Sequence, residues 1–403
     1  MTSSKKRILF IAENVTLAHI VRLLVLANSL DKKKYKIIFA TGADARKLVE
    51  DLDFEYHSIP TLNSNTFIAR LAKGERIYTY EELKSSVTFD LKLIQKISPD
   101  LIIGDFRISL GISTEINKVP YISLVNAYWS PYSLSTIPFP EHPLSKIFGV
   151  PISTFIFTII KPLILKYHSL PFNKVRKLYN LKPFPSLRHI YASGKWVLYP
   201  DIPALAPTAK IPDNHRYIGP ITWSPDTPMP DWWSEIRINT EKPIIYLTLG
   251  SSGNIKIIDI LLTVLQKMPV TVVVASANRF NQFNSSSNIY FAKFLPGEKI
   301  AQASKLVICN GGSATVYQAI ACGKPVLGFP SNTDQHLTMN AVVESEAGLL
   351  IRTEQATEKT IRDTINQLLN STKYQSNAQR LKDIFTHYKA TEEFRNFIDN
   401  IDF

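Results

Sequence analysis

The sequence predicts an α/β chain of two doubly wound halves. Three observations carry this reading. A strand–helix alternation opens near residue 7 and restarts near residue 243, prolines crowd the stretch between them from about 200 on, and 403 residues is long for one domain. Apolar residues make up 45% and charged residues 20% of the chain, as in an ordinary globular protein. That balance excludes collagen-like, low-complexity and largely disordered chains, and no repeat of solenoid period is visible.

The elements follow in order. RILFIAE (7–13) reads as a buried strand, LAHIVRLLVLANSL (17–30) as a helix and YKIIFATG (35–42) as the next strand. Strand, helix and strand in this order imply a parallel sheet with right-handed crossovers. A helix (80–97), the strand DLIIGD (100–105), a helix from about Leu110 and the strand PYISLVNA (120–127) continue the pattern. From 128 to 170 the chain turns proline-rich and aromatic, ending in the apolar run IFGVPISTFIFTIIKPLIL (147–165). Lys161 and the prolines interrupt that run, so it cannot supply the ~20 apolar residues of a spanning helix. After 243 come the strands PIIYLTLG, VTVVVASA, NIYFAKFL, KLVICN and PVLGFP, with helical stretches between them. The expected division is a first domain 1–218, a proline-rich connector 219–242 and a second domain 243–385. A terminal helical stretch, 386–403, is expected to return to the first half.

The formal net charge is +12, and all of it lies in the first half. Residues 1–218 hold 29 basic against 17 acidic residues, whereas 219–403 hold 17 of each. Residues 151–200 carry eight basic residues and no acidic one. Such a block suits an anionic partner, either phospholipid, as peripheral contact with an anionic membrane, or a phosphorylated acceptor; the bland alternative is a solvated basic face. No nucleic-acid reader motif accompanies the charge, so nucleic acid is not an expected partner. The first apolar run, of about five residues, is too short for a signal-peptide core. With only Cys309 and Cys322, the chain is expected in the reducing cytoplasm.

The densest motif is CNGGSATVYQAIACGKP (309–325). A strand ends at Asn310, two glycines follow, and a helix begins near Ser313–Thr315. A helix N-terminus offers unpaired N–H groups and a positive dipole end, and glycine lets an anion approach the backbone closely. Ser313 and Thr315 add hydroxyl donors; the bland alternative is a capped turn. After the next strand, SNTDQHLTMNA (331–341) places Asp334 and Gln335 at the head of a helix, suited to vicinal sugar hydroxyls or, more simply, to capping. LTLGSSGN (247–254) puts Ser251 in a third small-residue loop at the same sheet edge.

GGSATVYQAIACGKPVLGFPSNTDQHLTMNA resembles the donor-binding signature of family 1 glycosyltransferases. The resemblance implies the GT-B fold, two Rossmann-like doubly wound domains facing across a cleft. It implies a UDP-sugar donor, with Ser251, Asn310, Gly311, Gly312, Ser313 and Thr315 toward the diphosphate, Gln318 toward the ribose, and Asp334 with Gln335 toward the sugar. Two positions depart from the family pattern: Asn310 stands where histidine is usual and Gln318 where glutamate is usual. Asn310 cannot be cationic, and Gln318 accepts without a charge-assisted bond.

His19 resembles the family's catalytic base, although the usual flanking Gly and Pro are here Ala18 and Arg22. Removing a proton from an acceptor hydroxyl needs a base titrating near neutrality, which suits histidine. Asp105, closing DLIIGD, resembles the aspartate that orients it. Tyr128, Trp129, Tyr132 and Phe139, with the apolar run, suit a hydrophobic small-molecule or lipid acceptor. Arg107 is expected to pair with a carboxylate. No metal-ligand spacing occurs and no cofactor is expected beyond the nucleotide-sugar co-substrate. No G-x-G-x-x-G follows the first strand and there is no P-loop, against an oxidoreductase or an NTPase. The expectation is an inverting glycosyltransferase; the rivals are a non-catalytic sugar-nucleotide or lipid binder and a sugar-nucleotide epimerase.

Overall fold

The computed structural model describes residues 5–50, 52–139, 141, 143–239, 241–250, 252–277, 279 and 287–403. The chain forms two compact units. The first comprises Met1–Ser135, Phe148–Ile221 and Tyr388–Phe403; the second comprises Thr136–Ile147 and Thr222–His387.

The first unit is built on seven parallel strands: β1 (Lys6–Ala12), β2 (Tyr35–Thr41), β3 (Glu55–Ser58), β4 (Leu101–Asp105), β5 (Tyr121–Leu124), β6 (Trp196–Tyr199) and β7 (His215–Tyr217). Their order across the sheet is β3-β2-β1-β4-β5-β6-β7. The central strands are near-continuous apolar runs because helices cover both faces. Period-two alternation sorts their side chains. Ile8 and Phe10 pack on one face with Phe39, Ile103 and the helix Leu17–Ser29, while Leu9 and Ile11 pack on the other with Ile38, Ile102 and Ile94. The last helix, Ala390–Asn400, buries Ala390, Phe394 and Ile398 in the first of these clusters.

The second unit repeats the design with six parallel strands: β8 (Ile244–Thr248), β9 (Thr271–Ala275), β10 (Ile289–Ala292), β11 (Leu306–Cys309), β12 (Val326–Gly328) and β13 (Gly348–Leu350). The order is β10-β9-β8-β11-β12-β13. In each sheet the strand order reverses between the first strand and the fourth in sequence: β1 beside β4, and β8 beside β11. Ligands of doubly wound sheets bind at the carboxyl ends of such switch points.

Two stretches differ from the sequence expectation in form. The 219–242 connector carries a helix of its own, Trp232–Asn239, whose Trp232 ring lies 5.4 Å from Tyr290. The apolar run lies in a helix, Pro143–Leu178, with non-helical backbone at Gly149 (φ 75°) and three prolines inside it. Among the described residues no helix is long and apolar enough to cross a membrane.

Candidate active site

The switch point of the first sheet gathers the polar groups. β1 and β4 end in register, Ala12 beside Asp105, and the helix Leu17–Ser29 starts five residues after β1. Nδ1 of His19 lies 2.7 Å from Oδ1 of Asp105. A carboxylate only accepts, so Nδ1 carries the hydrogen and Nε2 is left as the basic nitrogen. Asp105 is buried, whereas His19 keeps 17% of its side chain exposed. That is the arrangement a base needs: one end fixed, the other reachable.

Arg22, one turn along from His19, completes the grip on Asp105. Its Nε donates to Oδ2 and its Nη2 to Oδ1, both at 2.9 Å. Nη2 also lies 3.3 Å from His19 Nδ1, but a guanidinium only donates, so its bond goes to the carboxylate. Burial is the largest single influence and works against the charge of Arg22, but Asp105, Tyr128 and Asp201 together outweigh it and hold the guanidinium above its ordinary pKa. Nη1 donates to Asn126 Oδ1 at 2.7 Å, and Asn126 Nδ2 to Asp201 Oδ1 at 2.8 Å. The ends of β4, β5 and β6 are thereby wired together behind His19.

Aromatic rings surround the dyad. His19 stacks on Phe106 at 4.8 Å, and Phe106 in turn meets Phe67 and Tyr191, each at 5.6 Å. Trp129 lies edge-on to Tyr191 at 5.5 Å. Phe106 has φ 59°, a left-handed conformation costing about 1 kcal/mol or more for a bulky residue. That strain sits directly after Asp105 and points the ring at the imidazole. Arg107 turns the other way, pairing with Glu13 and Asp90 at 2.8 Å each, entirely buried.

In the second unit, three loops meet at the corresponding edge. The helix Ser313–Ala321 follows β11, with Gly312 as N-cap and no side-chain cap bond. Its first-turn N–H groups therefore have no capping side chain, the condition for an anion site. Gly311 has φ 82°, and a Cβ there would stand 2.6 Å from Met339 Cγ, so glycine is required. Asn310 accepts from the Gly312 N–H at 3.2 Å and donates to Ser252 Oγ at 3.2 Å. Ser252 also receives Nε2 of Gln335 at 3.4 Å, which joins the third loop.

Residues 259–393 match the C-terminal domain of erythromycin biosynthesis protein CIII-like proteins. A PGL/p-HBAD biosynthesis glycosyltransferase of Mycobacterium tuberculosis (strain ATCC 25177 / H37Ra) is 40% identical over 382 residues, covering 94% of this chain and 89% of that protein. This chain is a family 1 glycosyltransferase of the GT-B fold. A PGL/p-HBAD biosynthesis rhamnosyltransferase of Mycobacterium bovis (strain BCG / Pasteur 1173P2) is 39% identical over 386 residues, covering 96% of this chain and 85% of the other. Among solved structures, spinosyn rhamnosyltransferase SpnG superimposes with a TM-score of 0.71 at 15% identity, covering 98% of this chain and 100% of that one. The same rhamnosyltransferase has been solved with thymidine diphosphate.

The glycosyltransferase places the remaining sequence-predicted residues unevenly. Ser251 lies outside the described residues. Ser313 is buried and Thr315 half-buried, both in the first turn of their helix. Gln318 spends both amide hydrogens on the segment before the Trp232 helix, bonding Trp223 O at 3.0 Å and Ser224 Oγ at 2.9 Å. Asn332, not Asp334, caps its helix, by accepting from Gln335 N; Asp334 is in the first turn. The Gln335 side chain is 2% exposed overall and its Oε1 accepts from the N–H and hydroxyl of Ser331, so it locks a turn. Tyr128 is buried, Trp129 half-buried and Tyr132 exposed, all in the first unit. Phe139 is separated from them. It is buried in the second unit, where its carbonyl accepts from Arg352 at 3.0 Å.

Sequence reasoning missed the aromatic partners of His19 and the role of Arg22. Phe106 follows Asp105 directly and Arg22 lies one turn from His19, so both carried a local signal. Tyr191 and Asp201 carried none, because only the sheet order brings them near. Both cysteines of the glycosyltransferase are buried and free, and burial pushes the thiol of Cys309 up to about 12, making it inert. Among the described residues no group of three or more His, Cys, Asp or Glu side chains is placed to hold a metal ion.

Proposed function

We propose that this glycosyltransferase moves a sugar from a nucleoside diphosphate donor to a hydroxyl of a hydrophobic small-molecule or lipid acceptor, with inversion at the anomeric carbon. The observation that carries the reading is the His19–Asp105 bond of 2.7 Å, with Nε2 left for the acceptor hydroxyl. His19 takes the acceptor proton while the acceptor oxygen attacks the anomeric carbon and the diphosphate leaves; Asp105 stabilises the imidazolium that forms. The rings of Phe106, Trp129 and Tyr191 give an acceptor its apolar wall.

On the donor side, the N–H groups of the Ser313–Ala321 helix and the Gly311–Gly312 turn would face the diphosphate and meet the charge that develops as it leaves. Thr315 and Ser251 would add hydroxyl donors. Oε1 of Gln318 would accept from the ribose, since its amide hydrogens are engaged, and Asp334 would hold the sugar hydroxyls with Gln335 behind it. The motif favours a UDP-sugar. A thymidine diphosphate rhamnose donor is the second reading, favoured by a 39% identical relative that bears the name rhamnosyltransferase. The enzyme would work in the cytoplasm with peripheral contact at an anionic membrane, a reading supported by the acid-free block 151–200.

The test is a donor panel of UDP- and TDP-linked sugars with a hydrophobic phenol or lipid alcohol, scored by released nucleoside diphosphate and by the anomeric coupling of the product. Acceptor-dependent release with an inverted product is expected. Binding of every donor without release would favour a non-catalytic binder, and a changed sugar without transfer would favour an epimerase.

A further inference from the structure

The helix beyond Gly149 is apolar on its outward face as well as its inward one. Ser153, Phe157, Ser169 and Phe172 point inward, and Phe172 and Val175 join a core cluster with Tyr78, Val87 and Ile112. The outward face carries Ile152, Phe155, Ile156, Ile159, Ile160 and Leu163, all exposed. Their spacing of three, one, three, one and three residues keeps them on one stripe of a helix. Phe155, Ile159 and Leu163 are 69%, 64% and 68% exposed. Scattered apolar residues on a surface need no explanation; six on one stripe do. The stripe spans twelve residues, about 16 Å of helix from Ile152 to Leu163.

Beyond Leu163 the same face turns basic. Lys166, Lys174 and Lys177 are exposed, with Tyr167 and Leu170 among them, and no acidic residue occurs between 151 and 200. Arg176 is not part of this face, because it is buried against Glu115 at 2.8 Å. Apolar side chains followed by lysines along one line match a bilayer's acyl boundary and its anionic headgroups. A second copy of the chain fits less well, since a two-fold pairing of these stripes offers the lysines no acidic residue from 151–200.

We propose that the Ile152–Leu170 face inserts into the headgroup–acyl boundary of a bilayer containing anionic lipid, with Phe155, Ile159 and Leu163 as the inserted side chains and Lys166, Lys174 and Lys177 on the headgroups. This deepens the peripheral membrane contact inferred for the enzyme, and it is tested without donor, so loss of transfer activity would leave it untouched.

The experiment uses the full chain. Both native cysteines are buried, so Phe155→Cys takes an environment-sensitive fluorophore selectively. Vesicles of phosphatidylcholine alone and of equimolar phosphatidylcholine and phosphatidylglycerol are then compared by emission and by flotation. A blue shift and flotation with the anionic vesicles are expected. Replacing Phe155, Ile159 and Leu163 together by serine lowers the vesicle partition coefficient at least tenfold with the thermal midpoint unchanged, as the three are exposed. Replacing the three lysines by glutamate lowers binding to the anionic vesicles to the level of phosphatidylcholine alone. No blue shift with either vesicle, or a serine variant that floats like the wild type, would overturn the proposal. So would a dimer, seen by sedimentation, that the serine variant abolishes while vesicle binding is unchanged.

Discussion

Arg22 holds both oxygens of Asp105, the same carboxylate that fixes Nδ1 of His19. The dyad is therefore a triad with a permanent cation in it. Part of the charge that would stabilise the His19 imidazolium is already balanced by the guanidinium, which makes Arg22 a positioning residue with an electrostatic cost.

The expected consequence is a catalytic loss separate from the loss of stability. Arg22→Gln leaves Asp105 without its two guanidinium bonds and should lower kcat about tenfold with donor KM little changed, measured by nucleoside diphosphate release. Loss of the buried pair should also lower stability by about 3 kcal/mol. Arg22→Lys retains the charge without the fork and should recover part of kcat. A purely structural Arg22 would lower the melting temperature and leave kcat unchanged well below it.

Asp105→Asn keeps the shape of the site but removes the fixed acceptor for Nδ1. It should reduce kcat roughly a thousandfold with little change in donor KM, measured by nucleoside diphosphate release.

Ser252 receives Asn310 and Gln335 together, so Ser252→Ala should loosen two loops of the proposed donor site at once. An increase in donor KM of about fivefold, corresponding to about 1 kcal/mol, is expected, with kcat nearly unchanged.

The backbone at Gly311 gives a complementary case. Gly311→Ala has to accept φ 82° and displace Met339, and should cost about 1–2 kcal/mol while weakening nucleoside diphosphate binding. Gly74, at φ 65° with open space around it, is the control. Gly74→Ala should destabilise through φ alone and leave nucleotide binding intact.

The loops that carry these effects were legible in the sequence to different depths. The buried strand runs and the glycine pair after KLVICN predicted the two parallel sheets, because apolar continuity and helix-start chemistry are local properties. His19 and Asp105 were legible as the ends of two elements, and the strand order put them side by side. The assignment of Phe139 to the acceptor side was not legible. Its aromatic neighbours in sequence lie in the first unit, and the bonds from Arg352 to Phe139 and from Thr353 to Glu141 draw those two residues into the second. Likewise nothing local distinguishes a Gln335 that faces a ligand from one that accepts from Ser331.

Stability should fall on the acid side. Burial, reinforced by Arg352, lowers the pKa of His336 to about 4, and burial alone lowers His215 to about 4. The unfolded chain takes up these protons from about pH 6.5 downward, whereas the native chain resists until near pH 4, so stability is lost as pH falls through that window. The urea midpoint should drop between pH 7 and pH 5, and His336→Asn should flatten the drop. An undiminished slope in that variant would assign the acid sensitivity elsewhere.

The central claim is that His19 removes the acceptor proton. The most direct measurement is the initial rate of nucleoside diphosphate release by wild type and His19→Gln, at saturating donor with a hydrophobic acceptor. A fall of at least a hundredfold with donor KM unchanged is the predicted result. Release at the wild-type rate in His19→Gln would contradict it.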